Sequence, residues 1–350
     1  MANFPKSVTF YKQRKIFGGF TLAPSRIVMS KVGDFDDFTL GDEPDDAIDI
    51  ELASSTEERI HALLSLRGVG ILSNTSEWWN NARAVLTPAS VDLDKVSQNG
   101  SSASVPPVVG SNNIIFASSS GKDIKQLVYN FQTDSWVPTS LIALAAHLFD
   151  SPAKRLAYVP GTVNTLAVLQ DDGALNVLFL GEGGIYAWTE WTTNGTWLDI
   201  DSAENGFWVA VDRSGPKIEF ISLEGTALTD AGSNYVVEVE TLPIENSVVG
   251  LHNKATASDL FVKLLNTGSF QYTVGDAPLA TYAATGTDSG THQLTLPSEW
   301  GLDKTIRLRQ ENSSPFELLS YTVLGRVGQD EYPPNSRQQG PVEEQAGRGN

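Results

Sequence analysis

The chain has 350 residues, 41% of them hydrophobic, enough to bury the core of one large or two ordinary domains. Its net charge of −18, from 42 acidic against 24 basic residues, excludes binding nucleic acid by neutralising phosphates, yet suits a passage along which nucleic acid slides. With no cysteine and no apolar run of signal-peptide or bilayer-spanning length, disulfides and thiolate metal sites are excluded, and a soluble protein made in a cytoplasm is expected.

Thirty glycines, 17 prolines and short apolar runs predict an all-β protein. Charge is segregated at the start. Residues 1–31 carry Lys6, Lys12, Arg14, Lys15, Arg26 and Lys31 and no acid, and residues 34–58 carry eleven acids and no base. Such neighbours attract each other, within a subunit or between subunits. Strands are predicted at Val8–Phe17 and Arg26–Met29, joined through Gly18-Gly19 and Pro24. An acidic loop follows over 33–46, then an alternating strand over 47–52 and a strand pair over 59–74 that turns at Arg67-Gly68. Residues 97–112 read as a polar connection.

From residue 113 a unit repeats: two apolar runs joined at a glycine. The runs are Asn113–Ser118 and Ile124–Phe131 around Gly121, Leu166–Gln170 and Ala174–Leu180 around Gly173, and Phe207–Val211 and Lys217–Leu223 around Gly215. The glycines stand 52 and 42 residues apart, a spacing that suggests propeller blades; a plain antiparallel sandwich is the competing arrangement. One short helix is predicted, capped by Thr139 or Ser140, with Leu141, Leu144, Ala145 and Leu148 on one stripe and His147 off it. The predicted division is a β-propeller-like domain over 1–232, a β-sandwich-like platform over 233–328, and a polar tail over 329–350 that is disordered or bound to a partner.

Catalytic and metal motifs are lacking. The acidic run from Asp34 to Glu51 misses the EF-hand pattern. His61, His147, His252 and His292 are scattered, without zinc-ligand spacing. No nucleophile elbow or phosphate loop occurs, and Gly181-Glu182-Gly183-Gly184 reads as a hairpin turn. Trp188, Trp191, Trp197 and Trp208 suit strand cores, or the wall of a sugar cleft beside carboxylates such as Asp171, Asp172, Glu190, Asp199 and Asp201. No catalytic residue, cofactor or metal is assigned.

The run Phe10-Tyr11-Lys12-Gln13-Arg14, the Gly18-Gly19 pair and the element Ser30-Lys31-Val32-Gly33-Asp34-Phe35-Asp36-Asp37-Phe38 resemble the opening of the tail nozzle family of short-tailed bacteriophages, also called tail tubular protein B or DNA-stabilisation proteins. Further matches follow in order: Asp45-Asp46-Ala47-Ile48, Thr75-Ser76-Glu77-Trp78, Leu86-Thr87-Pro88-Ala89-Ser90-Val91, His147-Leu148-Phe149, Asp171-Asp172-Gly173, Ala187-Trp188 and the run from Ser314 to Ser320. The resemblance implies a propeller with a β-rich platform and no enzymatic activity. It implies a ring, usually a homohexamer, in the virion. Such a ring joins the adaptor of the head-to-tail connector, carries tail fibres or spikes, and continues the channel for double-stranded DNA without binding it specifically. Family members usually carry a substantial segment before this first strand, so a shortened version is expected. Lys12, Gln13, Arg14, Lys15, Asp34, Asp36, Asp37, Asp45 and Asp46, where the charge flips, are the candidate interaction residues. The competing readings are a carbohydrate-binding or carbohydrate-cleaving propeller for host receptors, and an adaptor that clamps a tail protein through 329–350.

Overall fold

The computed structural model describes residues 3–80, 86–132, 135–161, 164–181, 186–224, 229–230, 233–241, 255–297 and 305–327. The chain divides into two compact units, Met1–Gly225 and Thr226–Asn350.

The first unit is a succession of antiparallel meanders. The first sheet holds β1 (Ser7–Tyr11), β2 (Arg14–Phe20), β3 (Ala23–Met29) and β4 (Ile48–Glu51) in chain order. The second holds β5 (Ile60–Ser65), β6 (Val69–Ser73), β7 (Glu77–Asn80) and β8 (Leu93–Ser97); the third holds β9 (Val108–Gly110), β10 (Asn113–Ala117), β11 (Ile124–Asn130) and β12 (Ser135–Ser140). The fourth is β13 (Ala153–Val159), β14 (Asn164–Gln170), β15 (Leu175–Leu180) and β16 (Tyr186–Trp191), and a three-stranded fifth is β17 (Thr196–Ser202), β18 (Gly206–Asp212) and β19 (Pro216–Ser222).

Successive sheets pack face to face. Side chains alternate across a strand, so one strand feeds two cores. In β14, Leu166 and Val168 join a core with Ile115, Ile124 and Phe149 of the third-sheet side, while Ala167 and Leu169 join one with Phe207, Val209 and Val211 of the fifth. The first and second sheets share Ile16, Ile27, Met29, Ile48, Ile60, Ile71 and Trp78. The second and third share Leu72, Trp79, Ile114, Phe116 and Trp136. Consecutive up-and-down sheets, each packed on the next, are a β-propeller-like arrangement. The turns at Gly121, Gly173 and Gly215 join the second and third strands of the third, fourth and fifth sheets, all with positive φ (73°, 88° and 132°), where glycine is least strained.

Two expectations change. Val8–Phe17 is not one strand but the β1/β2 hairpin, with Tyr11 paired to Arg14 across the two-residue turn Lys12-Gln13. The predicted helix gives way to strand β12, which pairs with β11 and places Pro138 on the sheet's edge, where no backbone donor is required of it. Leu141 N–H continues that ladder to Ile124 O, and only a 3-10 turn over Ala146–Leu148 remains. Leu144 is 97% exposed, so the expected stripe does not form; His147 is exposed too.

The second unit contains the sheets β22 (Val237–Glu240)–β27 (Ile306–Gln310)–β24 (Phe270–Val274)–β25 (Ala280–Tyr282) and β26 (Asp288–Thr295)–β23 (Ala255–Thr267)–β28 (Leu318–Val327), besides a short ladder of β20 (Thr229–Asp230) and β21 (Ser233–Asn234). The two larger sheets share one core of Leu260, Val262, Leu264, Phe270, Tyr272, Leu294 and Leu308, which makes them a sandwich. The tail predicted over 329–350 lies outside the described residues.

Candidate functional site

The nine candidate residues gather at one end of the first sheet. The β1/β2 turn places Lys12 and Gln13 at φ 44° and 60°, the left-handed pair of a type I′ hairpin, although neither is the asparagine or glycine that favours it. Arg14 follows. Alternation puts it on the same face as Ile16, and it is buried to 1% exposure.

Among the described residues the Arg14 guanidinium meets carbonyl oxygens and no carboxylate. Its Nη1 donates to Ser30 O (2.6 Å) and Asp46 O (2.7 Å), and its Nη2 to Pro44 O (2.9 Å) and Leu86 O (3.2 Å). One cation thereby ties the end of β3, the far end of the acidic loop and the segment after the second sheet's third strand. Burial pulls its pKa down, and the charges of Asp45 and Asp46 act against that.

The loop 31–47 is built on the same hairpin. Gly33 N–H donates to Gln13 O (2.9 Å), and Gly33 has φ 78°, which excludes most other residues. Lys15 N–H donates to Ser30 Oγ (3.0 Å), and Lys15 Nζ reaches Asp36 (2.8 Å). Lys31 Nζ bridges Asp46 (3.0 Å) and Asp37 (3.6 Å). The bond with Asp46 raises the Lys31 pKa, and bonds from Thr39 to Asp37 and from Lys31 to Asp46 hold those two carboxyls below the usual range. Asp34 accepts from Asp36 N–H (3.0 Å), and Asp45 accepts Val32 N–H on its carbonyl (3.0 Å). Arg26 donates to Asp49 across β3 and β4 (2.8 Å). The basic and acidic segments therefore pair within one subunit.

The two loop phenylalanines lie over the sheet's outer face, Phe35 against Phe10 (ring centroids 5.3 Å) and Phe38 against Phe17 (5.7 Å). Beside them Lys12, Gln13, Arg14, Val32, Pro44 and Leu86 line a depression of about 300 Å³. The arrangement offers backbone hydrogen bonding, charge and aromatic surface.

Other motif residues serve packing. Glu58 is buried among Ser54, Ser73, Thr75 and Ser76, with Lys95 Nζ at 3.2 Å. Burial pushes its pKa up, but the hydroxyl donors prevail and hold it at about 2. Glu77 takes Ser97 Oγ and Asn99 N–H. Trp188 Nε1 donates to Leu141 O (2.8 Å) with its ring on Phe149, Trp191 packs on Phe207, and Trp197 is buried with Nε1 on Trp191 O (2.9 Å). Of the four tryptophans considered for a sugar cleft, Trp208 is the most exposed, at 50%.

One chain of polar groups went unnoticed in the sequence. Tyr282 donates to Asp288 (2.6 Å) and meets His292 Nδ1 at 3.0 Å, tying β25 of one sheet to β26 of the other. Burial, and then Asp288, push the tyrosine to about 12, so it stays a donor. The signal was weak because Tyr282 lies on a strand of three residues. Among the described residues no group of three or more His, Cys, Asp or Glu is placed to hold a metal.

No protein-family model matches the sequence, and no curated protein matches it. Similar solved structures include YCF48 bound to D1 peptide (TM-score 0.41, 11% identity, 63% of this chain and 65% of that one). Others are an exo-β-1,3-galactanase from Phanerochaete chrysosporium (0.31, 7%, 91% and 95%) and BamB from Moraxella catarrhalis (0.27, 11%, 64% and 84%). These TM-scores lie below 0.5, so the fold class rests on the chain's own sheets.

Proposed function

We propose that this chain is a structural component of a short-tailed phage virion, a tail nozzle protein that assembles as a ring, most simply a homohexamer. The observation that carries the reading is the use made of the FYKQR and SKVGDFDDF runs. Arg14, Ser30, Lys31, Gly33, Asp37 and Asp46 all go into holding one loop on one hairpin, and Phe35 and Phe38 onto one sheet face. A device built from backbone carbonyls and ion pairs suits a surface held ready for partners. On this reading the protein is not an enzyme and takes no cofactor. Its partners are further copies, the head-to-tail adaptor and tail fibres or spikes, and viral DNA passes an acidic wall without specific contacts.

Cryo-microscopy of the purified virion tests this directly. The expected result is density for this chain in a ring on the tail axis; its absence there ends the proposal. The carbohydrate reading needs a cleft of aromatic rings beside carboxylates. Trp188, Trp191 and Trp197 are engaged in packing instead, which favours the virion reading. Binding to the host's surface glycans on an array would reverse that preference.

A further inference from the structure

An asparagine followed by glycine can modify itself, because no side chain on the second residue shields its nitrogen. The chain holds three such pairs, Asn99-Gly100, Asn194-Gly195 and Asn205-Gly206. In the reaction the glycine N–H loses its proton and the nitrogen attacks the asparagine Cγ. A C–N bond forms, the carboxamide nitrogen leaves as ammonia, and a cyclic succinimide results. Water then opens the ring at one carbonyl or the other, to aspartate or to isoaspartate, in which the main chain runs through the former side chain. Water is the one co-reactant, and nothing is oxidised or reduced.

The ring closes only where the main chain can turn the glycine nitrogen onto Cγ, and the three pairs differ in that freedom. Gly100 is buried at φ 67°, its carbonyl takes Ser119 N–H (3.1 Å), and Asn99 N–H is held by Glu77 (3.2 Å). Gly206 is buried in β18 opposite Ser222, with its carbonyl on Ala203 N–H (2.9 Å) and that of Asn205 on Leu223 N–H (3.0 Å). Asn194 and Gly195 are both exposed and lie in the connection between β16 and β17, outside either ladder. Gly195, at φ 146°, rests its Cα against Asp212 O, a contact that excludes a side chain but engages none of its polar atoms. Among the described residues neither the Asn194 carboxamide nor Gly195 N–H makes a hydrogen bond.

Arg213 adds a chemical reason. Its Nη1 donates to Asn194 O at 2.8 Å, while its Nε and Nη2 hold the Glu219 carboxylate at 3.0 Å each, and its side chain is only 9% exposed. Asn194 O and Gly195 N belong to one conjugated peptide group. A charge-assisted bond at the oxygen therefore stabilises the negative charge left when the N–H ionises. The matching carbonyls of Asn99 and Asn205 take neutral donors instead, Ser119 Oγ (3.5 Å) and Leu223 N–H (3.0 Å). We infer that Asn194 is a self-modifying residue, whose carboxamide is lost to a succinimide closed by Gly195 N, with Arg213 activating the peptide group between them. Opening to aspartate adds one negative charge to the residue whose carbonyl Arg213 holds. Opening to isoaspartate lengthens the main chain by one methylene between the fourth and fifth sheets. The inference is independent of the ring reading.

The full-length protein, folded and in parallel unfolded in guanidinium chloride, is held at mildly alkaline pH, sampled over time and digested in acid. Mass spectrometry reads the conversion at each of the three pairs, with aspartate and isoaspartate peptides separated by chromatography. Each pair is compared with its own rate in the unfolded chain, which removes the effect of neighbouring sequence. The expected result is that folding slows Asn99 and Asn205 strongly and leaves Asn194 as fast as in the unfolded chain or faster. Folded Asn194 converting no faster than folded Asn99 or Asn205 overturns the site.

Two variants complete the test. Asn194→Ser changes an exposed side chain, and the acidic satellite band that the aged wild type develops on native isoelectric focusing should be lost from it; a satellite that persists undiminished in N194S overturns the site. Arg213→Gln should slow Asn194 in the folded protein and leave its rate in the unfolded chain unchanged. Asn99 and Asn205 in the same molecule serve as the control, since a general loosening of the fold speeds all three pairs, whereas loss of one activating bond slows Asn194 alone. Any pattern in R213Q other than that selective slowing overturns the part assigned to Arg213.

Discussion

Arg14 and Glu58 are two of the buried charged residues of the first two sheets, and they are satisfied in opposite ways. Arg14 donates to four carbonyl oxygens and, among the described residues, to no acid, so its loss strands acceptors in three segments at once. Arg14→Met fills the space and removes the donors. A loss on the order of 3 kcal/mol in urea unfolding is expected, since hydrogen bonds to a charged group are the strong ones. Faster amide exchange over residues 31–46 should accompany it, and unchanged exchange there would show that the loop holds without Arg14. Glu58 is an anion in a nest of hydroxyls, depressed from 4.5 to about 2. A depressed carboxyl stabilises the fold above its ordinary pKa, and that contribution disappears as pH falls through the folded value. Glu58→Gln should therefore cost roughly 3 kcal/mol at neutral pH. The gap between wild type and variant should shrink as pH falls through the window from 4.5 to about 2, and a gap independent of pH would mean that the loss is one of packing.

Hairpins with a glycine at the turn were legible because glycine at positive φ leaves a mark in sequence, as at Gly121, Gly173 and Gly215. The Lys12-Gln13 turn left none, since two long polar residues carry no turn signal, and β1 and β2 fused into one expected strand. Arg14 was legible as part of a motif but not as a buried residue. Its alternation with Ile16 was the clue, overridden by the assumption that charge faces water. Flanking strands such as β13 and β16 escaped because a strand's place beside a hairpin comes from tertiary packing, not from its own turn residues. The charge flip was plain in the sequence, but pairing within one subunit became visible only when the loop folded back on the hairpin. The same turn yields a test. Each non-glycine residue in the left-handed region costs roughly 1 kcal/mol. Lys12→Asn with Gln13→Gly should therefore raise the midpoint of thermal unfolding by about 3 °C or more. If the turn's side chains bind a neighbour in the tail, the stabilised variant should assemble worse than the wild type, and assembly in a reconstituted tail measures that directly. A double variant no more stable than its parent would show that the Gly33 bond to Gln13 already compensates the turn.

For the molecule as a whole, the nozzle proposal turns on how its charge is disposed towards DNA. A protein that holds DNA by its phosphates needs several free lysines or arginines on one surface, and its affinity then falls steeply with salt. Here the net charge is −18. Of the six bases in residues 1–31, Lys15, Arg26 and Lys31 are paired with Asp36, Asp49, Asp37 and Asp46, and Arg14 is buried on carbonyls. In the second unit Arg307 and Arg309 lie against Glu238, Glu240 and Glu311. Each of these six cations already has its acid or its carbonyl, and the 42 acids against 24 bases repel a phosphate. The purified protein should therefore fail to retain double-stranded DNA in filter binding even at low ionic strength, where electrostatic attraction is strongest. On the proposed nozzle reading, a wall that repels DNA would let it slide without resting. Retention that weakens steeply as salt is added would reveal a phosphate-binding surface instead. It would then count against an unsticky passage even if the ring itself were found on the tail axis.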